Sequence, residues 1–231
     1  MHNDKKLSVG IIAYNEEKSI STVVKGFKTL GIFDEIIVVN NNSTDRTAEN
    51  AKNAGAKVVN ETRQGYGYAC QRALKECRGE IIVLTEGDAS FESRDVLKFL
   101  SYIDDADMIL GTRTTRELIR KNAKMNNFLL LGNLFLAKLI QLKFFGRVRL
   151  TDVGCTFRAI KKESLNKISG EFTVGSSHFS PEMIIIALRA GLRVVEIPIN
   201  YRERMGESKI TSNTKKSTKL GLKMMKLIMT R

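Results

Sequence analysis

The fold is decided by one stretch of the sequence, residues 79–91, which reads GEIIVLTEGDASF. Residues 81–84 form a short apolar run rich in β-branched side chains, which predicts a buried strand. The strand is followed at once by two carboxylates, Glu86 and Asp88, on either side of Gly87. Gly87 permits a tight turn and a close approach of a ligand to the backbone. Because open α/β sheets bind ligands at the carboxyl ends of their strands, this position predicts a ligand site.

The two carboxylates are suited to a hard divalent cation. Such cations take oxygen ligands, and one or two carboxylates often join them to substrate phosphates. We therefore predict that Glu86 and Asp88 hold Mg2+ or Mn2+, and that the cation holds a nucleotide diphosphate. The alternative, from this stretch alone, is an acidic turn that only ends a strand.

Similar apolar runs alternate with helical segments along the chain. Further strands are predicted at residues 7–13, 35–39, 57–60, 107–110 and 193–199, with a loop-and-strand segment at 152–160. Helices are predicted at about 19–30, 94–103 and 181–190, with two more that end at residues 54 and 78. This alternation predicts βαβ units, and hence an α/β fold with a mostly parallel sheet flanked by helices.

Two segments of the second half have unusual helical faces. Residues 122–142 carry Asn122, Asn126 and Asn133 on one narrow stripe, and most of the remaining surface is apolar. A face that wide is either buried or lies in a membrane interface. Residues 215–231 form a basic amphipathic helix, which suits an anionic membrane surface. The alternative is a solvated helix packed on the domain. Its basic stripe comprises Lys215, Lys216, Lys219, Lys223 and Lys226.

The composition indicates an anionic partner. Lys and Arg number 38 against 25 Asp and Glu, which gives a net charge of +13 and a pI near 9.7. Nucleic acid is disfavoured because the chain has no recognition module, no Trp and no basic–aromatic interleaving. Three cysteines without a CxxC pattern predict reduced thiols. With no signal peptide and no apolar run of about 18 residues, we expect a cytoplasmic protein.

Other nucleotide-binding patterns fit poorly. The Gly65-x-Gly67-x-x-Cys70 spacing lacks the third glycine of a dinucleotide fingerprint and follows the third strand instead of the first. These glycines are expected to let a helix N-terminus approach a ligand or a neighbouring loop. No Walker-type motif occurs, and two histidines, one of them near the start, support neither a zinc site nor a catalytic triad. Arg113, Arg158 and the segment at 204–209 add cations, which together favour a phosphate-handling site.

Together these motifs resemble family-two glycosyltransferases of the GT-A fold, and within them the dolichyl-phosphate or polyprenyl-phosphate mannose and glucose synthases. The resemblance covers about residues 7–210. Its motifs are AYNEE (13–17), IVVNNNSTDRT (37–47), EGD (86–88), GTR (111–113), DVGCTFR (152–158), PE (181–182), EIPI (196–199) and RMGESK (204–209).

The resemblance implies roles for individual residues. Asp88 would bind the metal with help from Glu86, and Tyr14 and Glu16 would contact the nucleoside. Arg204 and Lys209 would clamp phosphates, while Arg113 and Arg158 would serve the donor or acceptor phosphate. The implied nucleotide-sugar site also contains Asn40, Asn41, Asp45 and Gly87.

Two positions depart from the family pattern. The family usually has Asp-Asp where this chain has Asn40 and Asn41, and its metal motif usually begins with Asp instead of Glu86. Because Asn donates as well as accepts hydrogen bonds, the choice between uridine and guanosine stays open.

The implied reaction is inverting transfer of a hexose from UDP-glucose or GDP-mannose to an acceptor. A polyprenyl or dolichyl phosphate is already ionised and needs only positioning. A sugar hydroxyl would need a base, for which Asp152 and Glu182 are the candidates. We expect a transferase domain at 1–212 and a basic helix at 213–231, peripheral on the cytoplasmic face of the membrane. The rival is a non-catalytic protein that binds nucleotide sugar or membrane.

Overall fold

The structure is a computed structural model that describes residues 4–120, 123, 127–205 and 214–231, without the side chains of residues 127, 128 and 214–216. Its strands form one sheet. They are β1 (Leu7–Ala13), β2 (Glu35–Asn40), β3 (Lys57–Asn60), β4 (Ile81–Glu86), β5 (Met108–Thr112), β6 (Arg158–Lys161) and β7 (Val194–Pro198). Their order across the sheet is β3-β2-β1-β4-β6-β5-β7.

Most neighbouring strands run in the same direction. β1 pairs in parallel with β2 and β4, β2 with β3, and β5 with β7. β6 lies between β4 and β5 and is antiparallel to both. The prediction of an α/β fold with a mostly parallel sheet is confirmed. The direction of β6 is not visible in its sequence, because it depends on the path of the preceding connection.

Helices cover both faces of the sheet. They are α1 (Ile20–Thr29), α2 (Thr47–Asn53), α3 (Tyr66–Glu76), α4 (Val96–Ile103), α5 (Asn127–Lys143), α6 (Lys162–Ile168), α7 (Phe179–Arg189) and α8 (Thr214–Thr230). The short α6 was not predicted. The other bounds agree with the predicted segments to within a few residues, except that the first part of 122–142 lies outside the described residues.

The strands are buried on both sides, and alternate residues divide between two cores. Val9 and Val83 face a cluster that includes Phe27 of α1 and Phe99 of α4. Ile82 belongs to the opposite cluster, with α3, α7 and parts of α5 and α8. Continuous apolar strands are expected of a sheet covered on both faces. The stacked layers leave the carboxyl ends of β1 and β4 at one edge, where the candidate site lies.

α5 and α8 pack together on the second core. Leu136, Ala137 and Ile140 of α5 are buried, and so are Met224 and Ile228 of α8. The Lys143 ammonium donates a hydrogen bond of 2.6 Å to the Ile228 carbonyl, where a cation suits the carboxyl end of a helix. The basic helix thus packs on the domain through one face, as the alternative interpretation has it, while Lys219, Lys223 and Lys226 remain exposed.

The opposite face of α5 is mostly apolar and open to solvent, with the exposed Lys138 within it. Exposure of its stripe residues runs from 56% for Phe135 to 93% for Phe145, just beyond the helix. Leu131 and Leu142 complete the stripe. One face of this segment is therefore buried, as one of the two interpretations has it, and the membrane interface stays a prediction for the exposed face. Among the described residues, no helix combines the length and apolarity needed to cross a membrane.

Candidate active site

A cavity of about 540 Å³ lies between the carboxyl edge of the sheet and the α5–α8 pair. Its polar end holds many of the predicted site residues, and its other wall is apolar. The predicted residues that line it are Tyr14, Glu16, Asn41, Glu86, Gly87, Asp88, Arg113 and Arg204. Asn40, Asp45, Asp152, Arg158 and Glu182 do not line it, and Lys209 lies outside the described residues.

The carboxylate pair lies at the floor of the polar end. Asp88 Oδ1 accepts hydrogen bonds from the backbone N–H of Ser90 at 2.9 Å and from its hydroxyl at 2.6 Å. Glu86 Oε1 accepts one from the Thr156 hydroxyl at 2.5 Å. Burial, and then the neighbouring charge of Asp88, raise the pKa of Glu86 to about 7. A cation between the two carboxylates would relieve this repulsion.

The residues present fit Mg2+ or Mn2+ bound mainly through a substrate. Both candidate ligands are carboxylates, the oxygen donors that these ions prefer. No group of three or more His, Cys, Asp or Glu side chains able to hold a metal occurs in the described part of the chain. Glu86 and Asp88 would therefore leave several coordination positions to phosphate oxygens and water, the usual arrangement for Mg2+ at a nucleotide.

Arg204 bridges Glu16 and Asp88, two of the three described acidic residues that line the cavity. Its guanidinium donates from Nη2 to Glu16 Oε1, and its Nε lies 3.5 Å from Asp88 Oδ2. Burial raises the pKa of Glu16 more than the Arg204 charge lowers it. The buried Nε of Arg204 finds no hydrogen-bond acceptor among the described residues. A buried N–H without an acceptor is costly, so this donor fits an anionic oxygen of a ligand.

Arg113 enters the cavity from the end of β5, held by Asp152. Its Nε and Nη2 lie 2.7 Å and 2.9 Å from the two carboxylate oxygens of Asp152, a bidentate pair. The backbone N–H groups of Arg113 and Gly154 also donate to this carboxylate. Burial favours a raised pKa for Asp152, but the Arg113 charge and the hydrogen bonds from Arg113 and Gly154 together outweigh it, and the pKa falls below its ordinary value. Asp152 is therefore not placed as a base, and it orients Arg113.

Glu182, the other candidate base, lies on α7 away from the cavity lining. Its carboxylate is fully buried and accepts hydrogen bonds from the backbone N–H groups of Thr173 and Val174. Arg231 at the end of α8 completes its surroundings, with Nη2 2.9 Å from Oε1. Through these contacts the Glu182 carboxylate holds the 173–174 loop and the end of α8. The structure therefore does not support a catalytic role for Glu182.

Arg158 is also buried, at 1% exposure on β6. Its Nη1 donates to the Ser180 carbonyl at 3.3 Å, and its Nη2 to the Cys155 carbonyl. The guanidinium therefore faces backbone carbonyls inside the protein and does not line the cavity, and its predicted contact with a donor or acceptor phosphate stays a prediction.

The asparagines after β2 hold loops in place. Asn41 Nδ2 donates to the carbonyls of Glu61 at 3.0 Å and Arg63 at 2.8 Å, and its Oδ1 accepts the Gly65 N–H at 2.9 Å. An aspartate cannot donate to two carbonyls, which explains the amide at this position. Asn40 Nδ2 donates a hydrogen bond of 3.0 Å to Asn60 Oδ1.

The carboxylate of Asp45 is likewise occupied by neighbouring backbone. It accepts hydrogen bonds from the N–H groups of Thr47 and Glu17, which ties the start of α2 to the loop after β1. Burial works against ionisation, but the hydrogen bond from the Thr47 hydroxyl and those from the N–H groups together outweigh it and lower the pKa of Asp45. Its placement indicates a structural role.

The glycines of the site serve close packing. A Cβ on Gly67 would lie 2.2 Å from the Val174 carbonyl oxygen, and the Gly67 N–H donates to the Gly175 carbonyl at 3.0 Å. The glycines were expected to let the start of α3 approach either a ligand or a neighbouring loop, and in the structure it approaches a loop. At Gly87 a Cβ would lie 2.9 Å from Ile20 of α1. Gly87 lines the cavity, yet its lack of a side chain is explained by packing.

Some cavity residues were not predicted. Ser90 follows Asp88 in a turn of the Asp-x-Ser kind, a local signal that could have been used. Tyr66, Phe91 and Tyr201 also line the polar end, and no local pattern marks them. The apolar wall comes from α5 and α8 and comprises Leu129, Phe135, Leu136, Leu220, Leu222, Met224 and Met225.

The fold and this site define a glycosyltransferase of the GT-A type. The family model described as "Glycosyl transferase family 2" matches residues 8–169. The chain is 32% identical over 205 residues to the dolichyl-phosphate hexose transferase of Haloferax volcanii, which covers 88% of this chain and 86% of that protein. It therefore belongs to glycosyl transferase family 2.

More distant proteins agree on the fold. The dolichyl-phosphate beta-glucosyltransferase ALG5A of Trichomonas vaginalis is 27% identical over 236 residues, 93% of this chain and 71% of that protein. A solved structure of glucosyl-3-phosphoglycerate synthase from Mycobacterium tuberculosis, in complex with Mn2+ and UDP-glucose, superposes with a TM-score of 0.74. At 19% identity, covering 96% of this chain and 77% of that one, it shows the shared fold alone.

Proposed function

We propose that this glycosyltransferase moves a hexose from a nucleotide-diphosphate sugar to a polyprenyl or dolichyl phosphate, with inversion at the anomeric carbon. One observation carries the proposal. A single cavity joins the carboxylates and arginines at the sheet edge to the apolar wall of α5 and α8. A lipid phosphate has the matching combination of an anionic head and an apolar chain. The names of the Haloferax and Trichomonas relatives support the same acceptor class.

The polar end suits the donor. Tyr14 and Glu16 are assigned to the nucleoside, and the Nε of Arg204, which has no hydrogen-bond acceptor within the described ranges, to a diphosphate oxygen. Glu86 and Asp88 would hold Mg2+ or Mn2+, which supplies neutralisation of the charge that develops on the departing nucleoside diphosphate. The mycobacterial enzyme was solved in complex with both Mn2+ and UDP-glucose. UDP-glucose and GDP-mannose are the donors to be tested first.

The state of the candidate bases favours an acceptor that is already ionised. Asp152 is paired with Arg113, and Glu182 with Arg231. A phosphate oxygen needs no base, whereas a sugar hydroxyl must lose a proton as it attacks. In the proposed step the phosphate oxygen forms the new bond to the anomeric carbon. The bond from that carbon to the diphosphate breaks, and its electron pair leaves with the nucleoside diphosphate. In this proposal Arg113 positions the attacking phosphate.

The apolar wall has room for a prenyl chain. Gly132 of α5 and Gly221 of α8 both line the cavity, and a Cβ added at either would meet no atom within 4 Å. Glycine within a helix costs about 0.5–1 kcal/mol relative to alanine, so packing does not explain these two positions. Phe135 and Leu222 line the cavity and are also exposed. The cavity therefore opens toward the apolar stripe of α5.

The same surface supports association with an anionic membrane. The apolar stripe of α5 can enter the interface, and the lysines of α8 can meet anionic headgroups. In sedimentation with vesicles of phosphatidylserine and phosphatidylcholine, we expect the protein to be bound, and the double variant Leu131→Ser with Leu142→Ser to be released. Leu97→Ser is the matched control, because the Leu97 side chain is exposed on α4, which packs on the other face of the sheet. Equal retention of all three proteins would contradict this orientation.

Transfer itself is tested with radiolabelled UDP-glucose and GDP-mannose, Mg2+ or Mn2+, and dolichyl phosphate in mixed micelles. We expect label in the lipid with one donor, and none with Asp88→Ala. Transfer only to sugar hydroxyls or to water-soluble phosphates would contradict the lipid acceptor. Donor binding without transfer to any acceptor would favour the non-catalytic alternative.

A further inference from the structure

A chain of hydroxyl groups leads from the interior of the protein to Glu86. The Thr156 hydroxyl donates to Glu86 Oε1 at 2.5 Å and lies 2.5 Å from the Tyr66 hydroxyl. The Tyr66 hydroxyl is in turn 2.8 Å from Ser180 Oγ. These groups come from the end of β4, the segment before β6, the first residue of α3 and the start of α7. We call Thr156, Tyr66 and Ser180 the hydroxyl chain.

Each hydroxyl has one proton, and this fixes the direction of the hydrogen bonds. An ionised Glu86 accepts only, so the proton of Thr156 is used on Glu86. Tyr66 must then donate to Thr156, and Ser180 must donate to Tyr66. Burial raises the pKa of Tyr66 well above its ordinary value, which keeps this residue a donor. All the O–H dipoles of the hydroxyl chain thus point toward the Glu86 carboxylate, and each hydrogen bond strengthens the next.

Arg158 braces both ends of this chain. It donates to the carbonyl of Cys155, the residue before Thr156, and to the carbonyl of Ser180 itself. Thr156, Arg158 and Ser180 are at most 1% exposed. A buried guanidinium between two carbonyls fixes the backbone segments that carry the hydroxyls. This accounts for an arginine that is buried and does not line the cavity.

Glu86 needs such support more than an aspartate would. Its side chain has one more rotatable bond, and the charge of the nearby Asp88 repels it. A hydrogen bond on Oε1 selects one orientation and leaves the other oxygen for a cation. Hydrogen bonds to ligating carboxylates commonly orient them and tune the affinity for metal.

We propose that the hydroxyl chain, braced by Arg158, positions Glu86 as a ligand of the divalent cation. The proposal rests on the proposed function, since it assigns a purpose to residues behind the metal site of that function. Thr156, Tyr66, Ser180 and Arg158 are positioning residues, because they act on the cation through Glu86. A network that serves only core packing would affect stability and leave cation affinity unchanged.

The test measures the affinity of the full chain for Mn2+, through the electron paramagnetic resonance signal of free Mn2+. It is made with Mn2+ alone and again with added UDP or GDP. Loss of a hydrogen bond to a metal ligand typically weakens binding by roughly 10- to 100-fold. We expect Thr156→Val to fall in this range, Tyr66→Phe to show a smaller loss and Ser180→Ala the smallest. Thr156→Ser, which restores the hydroxyl, should recover native affinity.

Tyr68→Phe is the matched control, since Tyr68 lies on the same helix with its ring under Arg63 and outside the cavity lining. Thermal unfolding verifies that each variant is folded. If Thr156→Val does not fold, Tyr66→Phe carries the test because it keeps the ring. Native affinity in Tyr66→Phe and Thr156→Val, with binding lost in Asp88→Ala, overturns the hydroxyl chain and leaves the proposed function intact. Native affinity in Asp88→Ala overturns both.

Discussion

Arg113 and Asp152 form a bidentate pair in which both carboxylate oxygens accept hydrogen bonds, at 2.7 Å and 2.9 Å. The Asp152 side chain is completely buried, whereas Arg113 keeps 15% of its side chain exposed toward the cavity. The Arg113 guanidinium is therefore accessible from the cavity, whereas the Asp152 carboxylate is not. This arrangement makes Asp152 a positioning residue, and it leads to the first prediction.

Asp152→Ala should lower the free energy of unfolding by about 3–5 kcal/mol, because removing one partner of a buried ion pair strands the other. The pKa of Asp152 is held below its ordinary value of 3.8. Its stabilising effect is thus present above pH 3.8 and is lost as the pH falls through the lower, folded value. Urea unfolding at pH 7 and at pH 3 measures both effects.

A catalytic base would behave differently. In Asp152→Asn, the pH profile of turnover should keep its shape while the rate falls, since Arg113 loses its anchor. Loss of the acidic limb of the profile, with stability retained, would show that Asp152 takes a proton from the acceptor.

Glu86 gives a pH prediction of opposite sign. Its pKa is raised from 4.5 to about 7 by burial and by Asp88, so the folded state holds a proton that the unfolded chain has already lost. Between pH 4.5 and 7 this group makes stability fall as the pH rises, by at most about 1.4 kcal/mol per pH unit. The difference between native protein and Glu86→Gln, unfolded in urea without metal, isolates the effect.

The comparison with Glu86→Gln is necessary because other groups titrate in the same window. The pKa values of Glu16 and Glu196 are also raised by burial. Parallel stability curves for native protein and variant would show that Glu86 is already ionised at low pH.

Gly132 offers a test of the lipid chain. Gly132→Ala should stabilise α5 by about 0.5–1 kcal/mol and keep transfer intact, because the added methyl meets open space. Gly132→Leu should raise the KM for a long-chain polyprenyl phosphate by roughly tenfold, equivalent to about 1.4 kcal/mol. Gly170→Leu is the control, since that glycine also faces open space and lies outside the cavity lining.

The affinity for nucleotide and Mn2+ should be unchanged in Gly132→Leu. An unchanged KM for the long-chain acceptor in that variant would place the chain elsewhere.

The attachment of α8 depends on Glu182 and Arg231. Arg231→Met leaves the fully buried Glu182 without its cation, so we expect a lower melting temperature and increased hydrogen exchange in α8. Glu182→Gln with Arg231→Met should cost less than the sum of the single variants, because each removes the same contact. Additive losses in this double-mutant cycle would mean that the ion pair does not hold the helix.

The strand ends of this protein could be predicted because their signals are local. The apolar run 81–84 and the Glu-Gly-Asp sequence after it lie within eight residues of one another, and the structure places Glu86 and Asp88 in the cavity. Arg113 and Arg204 were reached in the same way, at a strand end and beside a glycine, whereas Tyr14 followed from the family resemblance. Whether each performs its assigned role stays a prediction.

The roles of Asp152, Glu182 and Arg158 were not accessible from sequence. From the sequence, Asp152 and Glu182 were predicted as candidate bases and Arg158 as a phosphate ligand. Their function depends on which side chain comes to lie opposite. Arg113 meets Asp152 across 39 residues, and Tyr66 meets Thr156 across 90.

The sequence by itself determined the order of strands and helices and the acidic strand end, because hydrophobic periodicity and turn chemistry act over a few residues. Tertiary structure alone decided that β6 runs antiparallel, that two acids are occupied by arginines, and that hydroxyls support Glu86. The reason is physical: pKa, burial and hydrogen-bond partnership belong to the space around a side chain, and that space is filled only after distant segments pack together.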